Sequence, residues 1–246
     1  MRAWVVLLIA ACGSHGATLT DGSPGGDDDG GGSGTDASCG ASPAAESGEA
    51  TYYDADGTGN CSFDASTDYM VAAMNAADYG NAQWCGACLA VSGPMGNSIT
   101  VRVVDQCPGC SHGDLDLSET AFSMLSPLSA GRIKISWHEV PCDVTGPIAY
   151  NFQMGASQYY AAIQIRNSRY PIQAIAANQG SASTMLAKQS YNYYVASDGL
   201  GVGPYDLVVT DERGQTIEDT GIALGNDDAT ESGSSQFPLC PRDGLH

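Results

Sequence analysis

Basic charge is what this chain of 246 residues has least of, with nine Lys and Arg against 28 acids and a net charge of −19. The deficit runs the whole length: residues 13–48 hold six acids and no base, and residues 49–246 hold 22 acids and eight bases. Such a chain repels phosphate polymers and anionic wall material such as teichoate or pectate, which excludes a nucleic-acid partner and favours neutral glycans. Long apolar runs are missing too. The apolar stretch Trp4–Ala11 is too short to span a bilayer. The second half has no long helical pattern and no internal repeat. Tryptophan is absent beyond Trp137, whereas eight of the 12 tyrosines lie after residue 142.

What is present begins with an address. Arg2 and the apolar run Trp4–Ala11 read as a signal peptide over residues 1–11. Leu8-Ile9-Ala10-Ala11-Cys12 resembles a bacterial lipobox, in which the Cys12 thiol takes the lipid; an ordinary signal peptide with a stray cysteine is the alternative. The expected location is therefore outside the cytoplasm, lipid-anchored to the cell envelope. Residues 12–47 read as a flexible acidic tether, because Asp21–Gly34 is almost wholly Gly, Asp, Ser and Pro.

With Cys12 lipidated, eight cysteines remain: Cys39, Cys61, Cys85, Cys88, Cys107, Cys110, Cys142 and Cys240. An even set in an exported chain points to disulfides. The pairs Cys85-Gly86-Ala87-Cys88 and Cys107-Pro108-Gly109-Cys110 imitate a four-thiolate zinc site, but an oxidising space favours disulfides over zinc. No metal and no cofactor are expected.

Two units follow, over residues 48–142 and 143–246. In the first, Met70, Ala73, Met74 and Ala77 recur at helical spacing and predict a helix over Tyr69–Asp78, stopped by Gly80. Leu89–Val91 and Ile99–Val104 read as strands around the turn Gly93-Pro94-Met95-Gly96. Ser118 is a candidate N-cap for a helix over Glu119–Leu125, and Ile133, Ile135 and Trp137 alternate along a strand over Arg132–Val140. The second unit reads as all-β. Ala161, Ile163 and Ile165 alternate with Ala162, Gln164 and Arg166, and Tyr170–Ile175, Tyr191–Ala196 and Tyr205–Thr210 form later strands.

Several ordered stretches carry a family resemblance: Gly48-Glu49-Ala50-Thr51-Tyr52-Tyr53, Tyr79-Gly80 with Cys85-Gly86-Ala87-Cys88, Val103-Val104-Asp105-Gln106-Cys107-Pro108, Leu115-Asp116-Leu117-Ser118, and Tyr159-Tyr160-Ala161-Ala162-Ile163-Gln164-Ile165-Arg166-Asn167 with Tyr170-Pro171. Over roughly residues 48–240 the chain resembles the microbial expansin-like proteins. The resemblance implies an all-β architecture, a six-stranded double-psi β-barrel followed by an immunoglobulin-like β-sandwich that binds cellulose, and wall loosening without hydrolysis. It places the polysaccharide groove at Thr51, Asp105 and Asp116, with Asp105 bonded to Thr51, and the glycan-stacking platform at Tyr159, Tyr160 and Tyr191. An aromatic found in some members falls on Cys107 and is lost. Phenols replacing indoles keep a flat stacking face but shrink it. The resemblance also implies disulfides Cys61–Cys85, Cys88–Cys142 and Cys107–Cys110, with Cys39–Cys240 tying the two ends.

On chemistry alone, Asp116 between Leu115 and Leu117 either faces a groove or caps the helix near Ser118. Hydrolysis would need a second carboxylate at a set separation, for which Asp105 and Asp114 are the close candidates. His112 reads as a solvated loop residue and His138 as structural. Tyr159 and Tyr160 are adjacent, so both can face outward only near a bulge or a strand start. Three functions stand open: non-hydrolytic loosening of wall polysaccharide (cellulose, a xyloglucan-like glucan or peptidoglycan), a lytic enzyme on the same barrel (an endoglucanase or peptidoglycan transglycosylase), and a binding-only adhesin. A monomer without nucleic-acid partners is expected, touching the membrane only through the anchor.

Overall fold

Residues Glu46–Tyr53 alternate a buried Ala50 and a core-packed Tyr52 with the outward side chains of Glu49, Thr51 and Tyr53, and they form β1 of a closed barrel. The computed structural model describes residues 39–225 and 228–241. The signal peptide, Cys12 and all of the tether before Cys39 lie outside the described residues. After β1 come β2 (Val71–Asn75), α1 (Ala76–Tyr79), β3 (Cys88–Ser92), β4 (Ser98–Cys107), β5 (Leu115–Ser118), α2 (Glu119–Leu125) and β6 (Ile133–Val140). The barrel order is β1-β5-β2-β4-β3-β6, closed by β6 on β1. The pairs β1–β5 and β2–β4 are parallel and the rest antiparallel, the double-psi arrangement. Leu89, Val91, Val101, Val103, Leu115, Leu117 and Trp137 fill the interior.

The helix expected over Tyr69–Asp78 is not formed. Val71–Asn75 is a strand whose five residues are all buried, and only Ala76–Tyr79 is helical. Ala72 and Met74 point into the barrel core, while Val71 packs on the outer side with Val104 and Ala55. A strand buried on both faces shows no alternation, so its small residues fell by chance on helical spacing. The second helix forms as expected: Ser118 Oγ accepts from the Ala121 N–H at 3.0 Å, a cap worth about 1 kcal/mol. Ser118 does the capping, which frees Asp116.

The second half holds β7 (Ala149–Phe152), β8 (Ala161–Arg166), β9 (Ile172–Gln179), β10 (Ala182–Met185), β11 (Ala187–Lys188), β12 (Tyr194–Ala196), β13 (Tyr205–Asp211), β14 (Thr216–Ile222) and β15 (Thr230–Ser232). They form two sheets, β10-β9-β13-β14 and β11-β12-β8-β7-β15. Ala161, Ile163 and Ile165 of β8 enter the core between the sheets with Tyr150, Phe152, Tyr205 and Phe237. Ala162, Gln164 and Arg166 take the other face.

Four disulfides join Cys39–Cys240, Cys61–Cys85, Cys88–Cys142 and Cys107–Cys110. This is the pairing the resemblance implies, and it leaves no four-thiolate zinc site. The last residues of the expected tether are pinned rather than free. Besides the Cys39 disulfide, the Gly40 N–H donates to Arg213 O at 2.8 Å and Arg213 Nη1 to Ser42 Oγ at 2.5 Å.

Candidate functional site

Four strands present one row of residues on the outer face of the barrel. Register pairs Thr51 with Asp116 across β1–β5, Asp116 with Ala73 across β5–β2, and Ala73 with Asp105 across β2–β4. Residues paired directly across strands share a face. Asp105 belongs to this row only because of an irregularity. Along β4, Val101 and Val103 point into the core, and strict alternation would send Asp105 inward as well. Instead the register shifts between Ala72 and Ala73, so Val104 and Asp105 together stand opposite one residue of β2. The extra residue turns the carboxylate to the outer face.

Thr51 Oγ1 donates to Asp116 Oδ1 at 2.6 Å. The expected Thr51–Asp105 bond is therefore corrected: Asp116 lies beside Thr51, and β2 separates both from Asp105. Asp105 Oδ1 instead accepts from the backbone N–H groups of Asn60 at 2.6 Å and Gln106 at 2.8 Å. That approach needs a glycine before Asn60, since a Cβ on Gly59 would stand 2.4 Å from the Asp105 side chain. Asp114, the other candidate partner, shares the face of Asp116. Its oxygens are occupied, however, by the Glu49 N–H at 2.7 Å and the Ser111 N–H at 3.1 Å.

Tyr53 escaped the sequence-based choice of site residues. It lies two residues beyond Thr51 on the same face and pairs with Ser118. Its hydroxyl is buried with no hydrogen-bond partner among the described residues. Burial pushes its ionisation well above the usual phenol value, and the charges of Asp105, Asp116 and Asp56 push it further. A neutral phenol thus stands near the two groove carboxylates, packed against Ala55, Val71 and Val104. Strand parity from Thr51 was the signal that could have found it.

His112 Nε2 stands 3.2 Å from Asp78 Oδ1, outside this row, and its side chain is 62% exposed. His138 faces solvent on β6, so the structural role expected for it is not what the strand gives it.

Asn60 carries the groove across to the sandwich. Its backbone N–H holds Asp105, and its side-chain amide donates to Tyr79 Oη at 2.8 Å and to Ser190 O at 3.0 Å. Tyr79 Oη also donates to Ser190 O at 2.8 Å. Burial, offset by the Asn60 bond and reinforced by the Asp105 charge, raises Tyr79 to about 12. Gln164 Nε2 and Asn192 Nδ2 bind Cys61 O at 2.8 and 3.2 Å. These bonds fix Ser190, and with it the adjacent Tyr191, next to the Asp105 end of the groove.

The three expected platform tyrosines are not equivalent. Tyr160 precedes β8 after an isolated bridge to Ser157, which supplies the strand-start setting that adjacent outward tyrosines require. Tyr191 is half-buried, 5.9 Å from the Tyr193 ring, and its phenol is shifted upward first by burial and then by the nearby Tyr160, whose hydroxyl donates to Gln153 Oε1 at 3.4 Å. Tyr160 and Tyr191 are thus brought together. Tyr159 is 73% exposed and lines a recess of about 380 Å³ with Val202 and Leu224.

Comparison with known proteins matches this architecture. The sequence profile of the lytic transglycolase family matches residues 45–137, the stretch that holds the barrel strands. An expansin of Bacillus subtilis is 35% identical over 179 residues, covering 71% of this chain and 74% of that protein. Expansin-like protein 5 of Dictyostelium discoideum is 28% identical, covering 78% of this chain and 85% of that one. The crystal structure of apo expansin from Clavibacter michiganensis superposes with a TM-score of 0.74 at 32% identity, covering 80% of this chain and all of that one. A mutant of the same expansin in complex with cellohexaose aligns equally well. With this identity over more than two thirds of its length, the chain belongs to the expansin family.

Proposed function

We propose that this expansin binds and loosens a neutral β-glucan of the cell wall, cellulose or a close relative, without hydrolysing it. One glucan chain lies along the row Thr51, Asp116, Asp105, where the carboxylates accept hydrogen bonds from sugar hydroxyls. It passes Asn60 and continues onto Tyr191 and Tyr160, whose rings pack against sugar CH faces; Tyr159 adds a further stacking surface. The observation that supports this reading most is the Asn60 bridge, which joins Asp105 to the residue before Tyr191. A Clavibacter expansin that aligns over 80% of the chain was crystallised with cellohexaose, a ligand of the same class.

The spacing of the row supports non-hydrolytic action. Retaining glycosidases hold two carboxyl groups about 5–5.5 Å apart. Asp116 and Asp105 have β2 between them, so their backbones are roughly 10 Å apart, two strand spacings. Asp105 Oδ1 is also occupied by two backbone donors. The second reading is lytic. It is favoured by the transglycolase profile over the barrel and by a two-strand spacing that approaches the ~6.5–9.5 Å of inverting carboxyl pairs. Weakening of a cellulose sheet with no release of reducing sugar supports the first reading. Release of reducing ends or muropeptides by the parent protein establishes the second, and binding with neither effect leaves an adhesin.

Export and lipidation at Cys12 complete the proposal: the tether lets the folded part reach the wall from the envelope. In the Cys12→Ser protein the folded part should leave the membrane fraction intact. A Cys12→Ser protein that is exported yet still sediments with membranes would remove the anchor from the account.

A further inference from the structure

A recess of about 390 Å³ opens between the barrel and the sandwich, lined by Lys188 of the segment Lys188–Ser190 but not by Tyr191. Its volume is in the range of small-molecule sites, ~300–1,000 Å³. The barrel contributes Asn81, Gln83 and Trp84; the sandwich contributes Gln173, Lys188 and Glu212. The segment is held to the barrel on both sides. Asn81 Nδ2 donates to Lys188 O at 3.0 Å on the recess side, and Asn60 and Tyr79 donate to Ser190 O on the groove side. The recess is therefore separate from the groove and from the Tyr160–Tyr191 pair.

We propose that this recess is a second carbohydrate site, which takes a single neutral sugar residue or a short neutral oligosaccharide against Trp84. The indole is a rigid apolar wall, because the Trp137 ring braces it edge-on at 5.4 Å. Facing it are amides, which both donate and accept, as sugar hydroxyls require. Among the described residues, the Gln83 and Gln173 side chains have no hydrogen-bond partner inside the protein. Glu212 stands beside them in the wall of the recess, with its Oε1 3.6 Å from Arg213 Nε.

The charges around the recess select against ions. Burial first, then the hydrogen bond and like charge of Glu139, hold the Glu212 carboxyl well above the usual carboxylate range. Burial, partly offset by Glu212, draws Lys188 down to about 8, and its Nζ donates to Ile172 O at 2.7 Å. A cationic ligand would meet Lys188, and an anionic one a chain of net charge −19. A neutral polyhydroxyl compound meets neither penalty.

The test is titration of the ¹⁵N-labelled chain with glucose and with cellobiose, following the Trp84 indole N–H resonance. Saturable shifts at millimolar sugar are expected. Gln83→Ala and Gln173→Ala, both at exposed positions, should each weaken binding roughly fivefold, the size of one neutral hydrogen bond. Asp116→Asn and Tyr160→Ala should leave the titration unchanged, so failure of the groove reading and failure of this one are distinguishable. The proposal is overturned if no saturable shift occurs with tens of millimolar sugar. It is also overturned if the shift follows Tyr160→Ala rather than the Gln variants, or if glucosamine or glucuronate binds more tightly than glucose.

Discussion

Asp116→Asn probes the groove with little disturbance to the fold. The amide keeps an oxygen for the Thr51 hydroxyl, which donates at 2.6 Å in the parent, but the bond loses its charge assistance. Hydrogen bonds to charged groups contribute about 1.5–3 kcal/mol and neutral ones about 0.5–1.5, so the expected loss is about 1 kcal/mol. The side chain is half-buried, and solvent screening trims that figure. For a chain of this size 1 kcal/mol lowers Tm by about 2–4 °C. Removing one of the charges that crowd Tyr53 acts in the opposite direction. The variant should therefore melt within about 4 °C of the parent and be pulled down by cellulose as well as the parent. Its ability to weaken a cellulose sheet under load should disappear, because the carboxylate grips a chain that must be displaced from its neighbours. A variant that folds and still weakens the sheet would refute the assignment of Asp116 to the groove. Loss of a sugar release that the parent measurably shows would instead turn the groove into a lytic site.

Tyr160→Ala should lower cellulose pull-down by about 1 kcal/mol, roughly fivefold. Combined with Tyr191→Ala it should be non-additive, since the two rings interact, whereas Tyr159→Ala should add independently; simple additivity throughout would dissolve the pair. Cys39→Ser should lower Tm markedly, because the Cys39–Cys240 bond closes a loop with a sequence separation of 201, which chain entropy values at up to about 5 kcal/mol; an unchanged melt would show that the strap adds nothing. Burial holds the folded pKa of Glu212 above the ordinary carboxyl value, so the parent loses stability as pH rises from that ordinary value toward the folded one. Glu212→Gln should match the parent near pH 4 and out-melt it increasingly toward alkaline pH, and parallel pH profiles would contradict the buried-carboxyl reading.

The alternation Ala161, Ile163, Ile165 was legible because one face of β8 meets the sandwich core and the other does not. Ser118 was legible because a cap is a local event. Val71–Asn75 was not, since a strand buried on both faces carries no period. Nor were the exposed strand Ala182–Met185 and the two-residue strand Ala187–Lys188, which have no buried stripe to reveal them. At the site, the residues Thr51, Asp105 and Asp116 could be named from family likeness, but their pairing could not. It is set by the parallel register of β1 on β5 and by the extra residue at Val104, neither of which leaves a local mark. Tyr160 and Tyr191 meet only because the chain between β11 and β12 is bonded to the barrel at Ser190.

The same geometry explains how one surface can grip without cutting. The groove floor is a strand of a closed, filled barrel, so Ala73 cannot yield to let Asp116 and Asp105 approach each other. Each carboxylate is already aimed by a donor of its own, Thr51 for one and the Asn60 and Gln106 amides for the other. Fixed carboxylates at fixed spacing suit sugar hydroxyls that recur along a glucan, whereas bond cleavage by a retaining route needs two carboxyl groups converging on one linkage. The bonds from Asn60, Tyr79, Gln164 and Asn192 across to the sandwich, or from it, then matter mechanically. They tie Ser190, and with it Tyr191, to the barrel, so on the proposed reading a chain stacked on the tyrosines and hydrogen-bonded in the groove would be held at both ends by one compact unit. Such a body can favour a single glucan chain detached from its sheet over the same chain packed within it, which is the thermodynamic content of loosening.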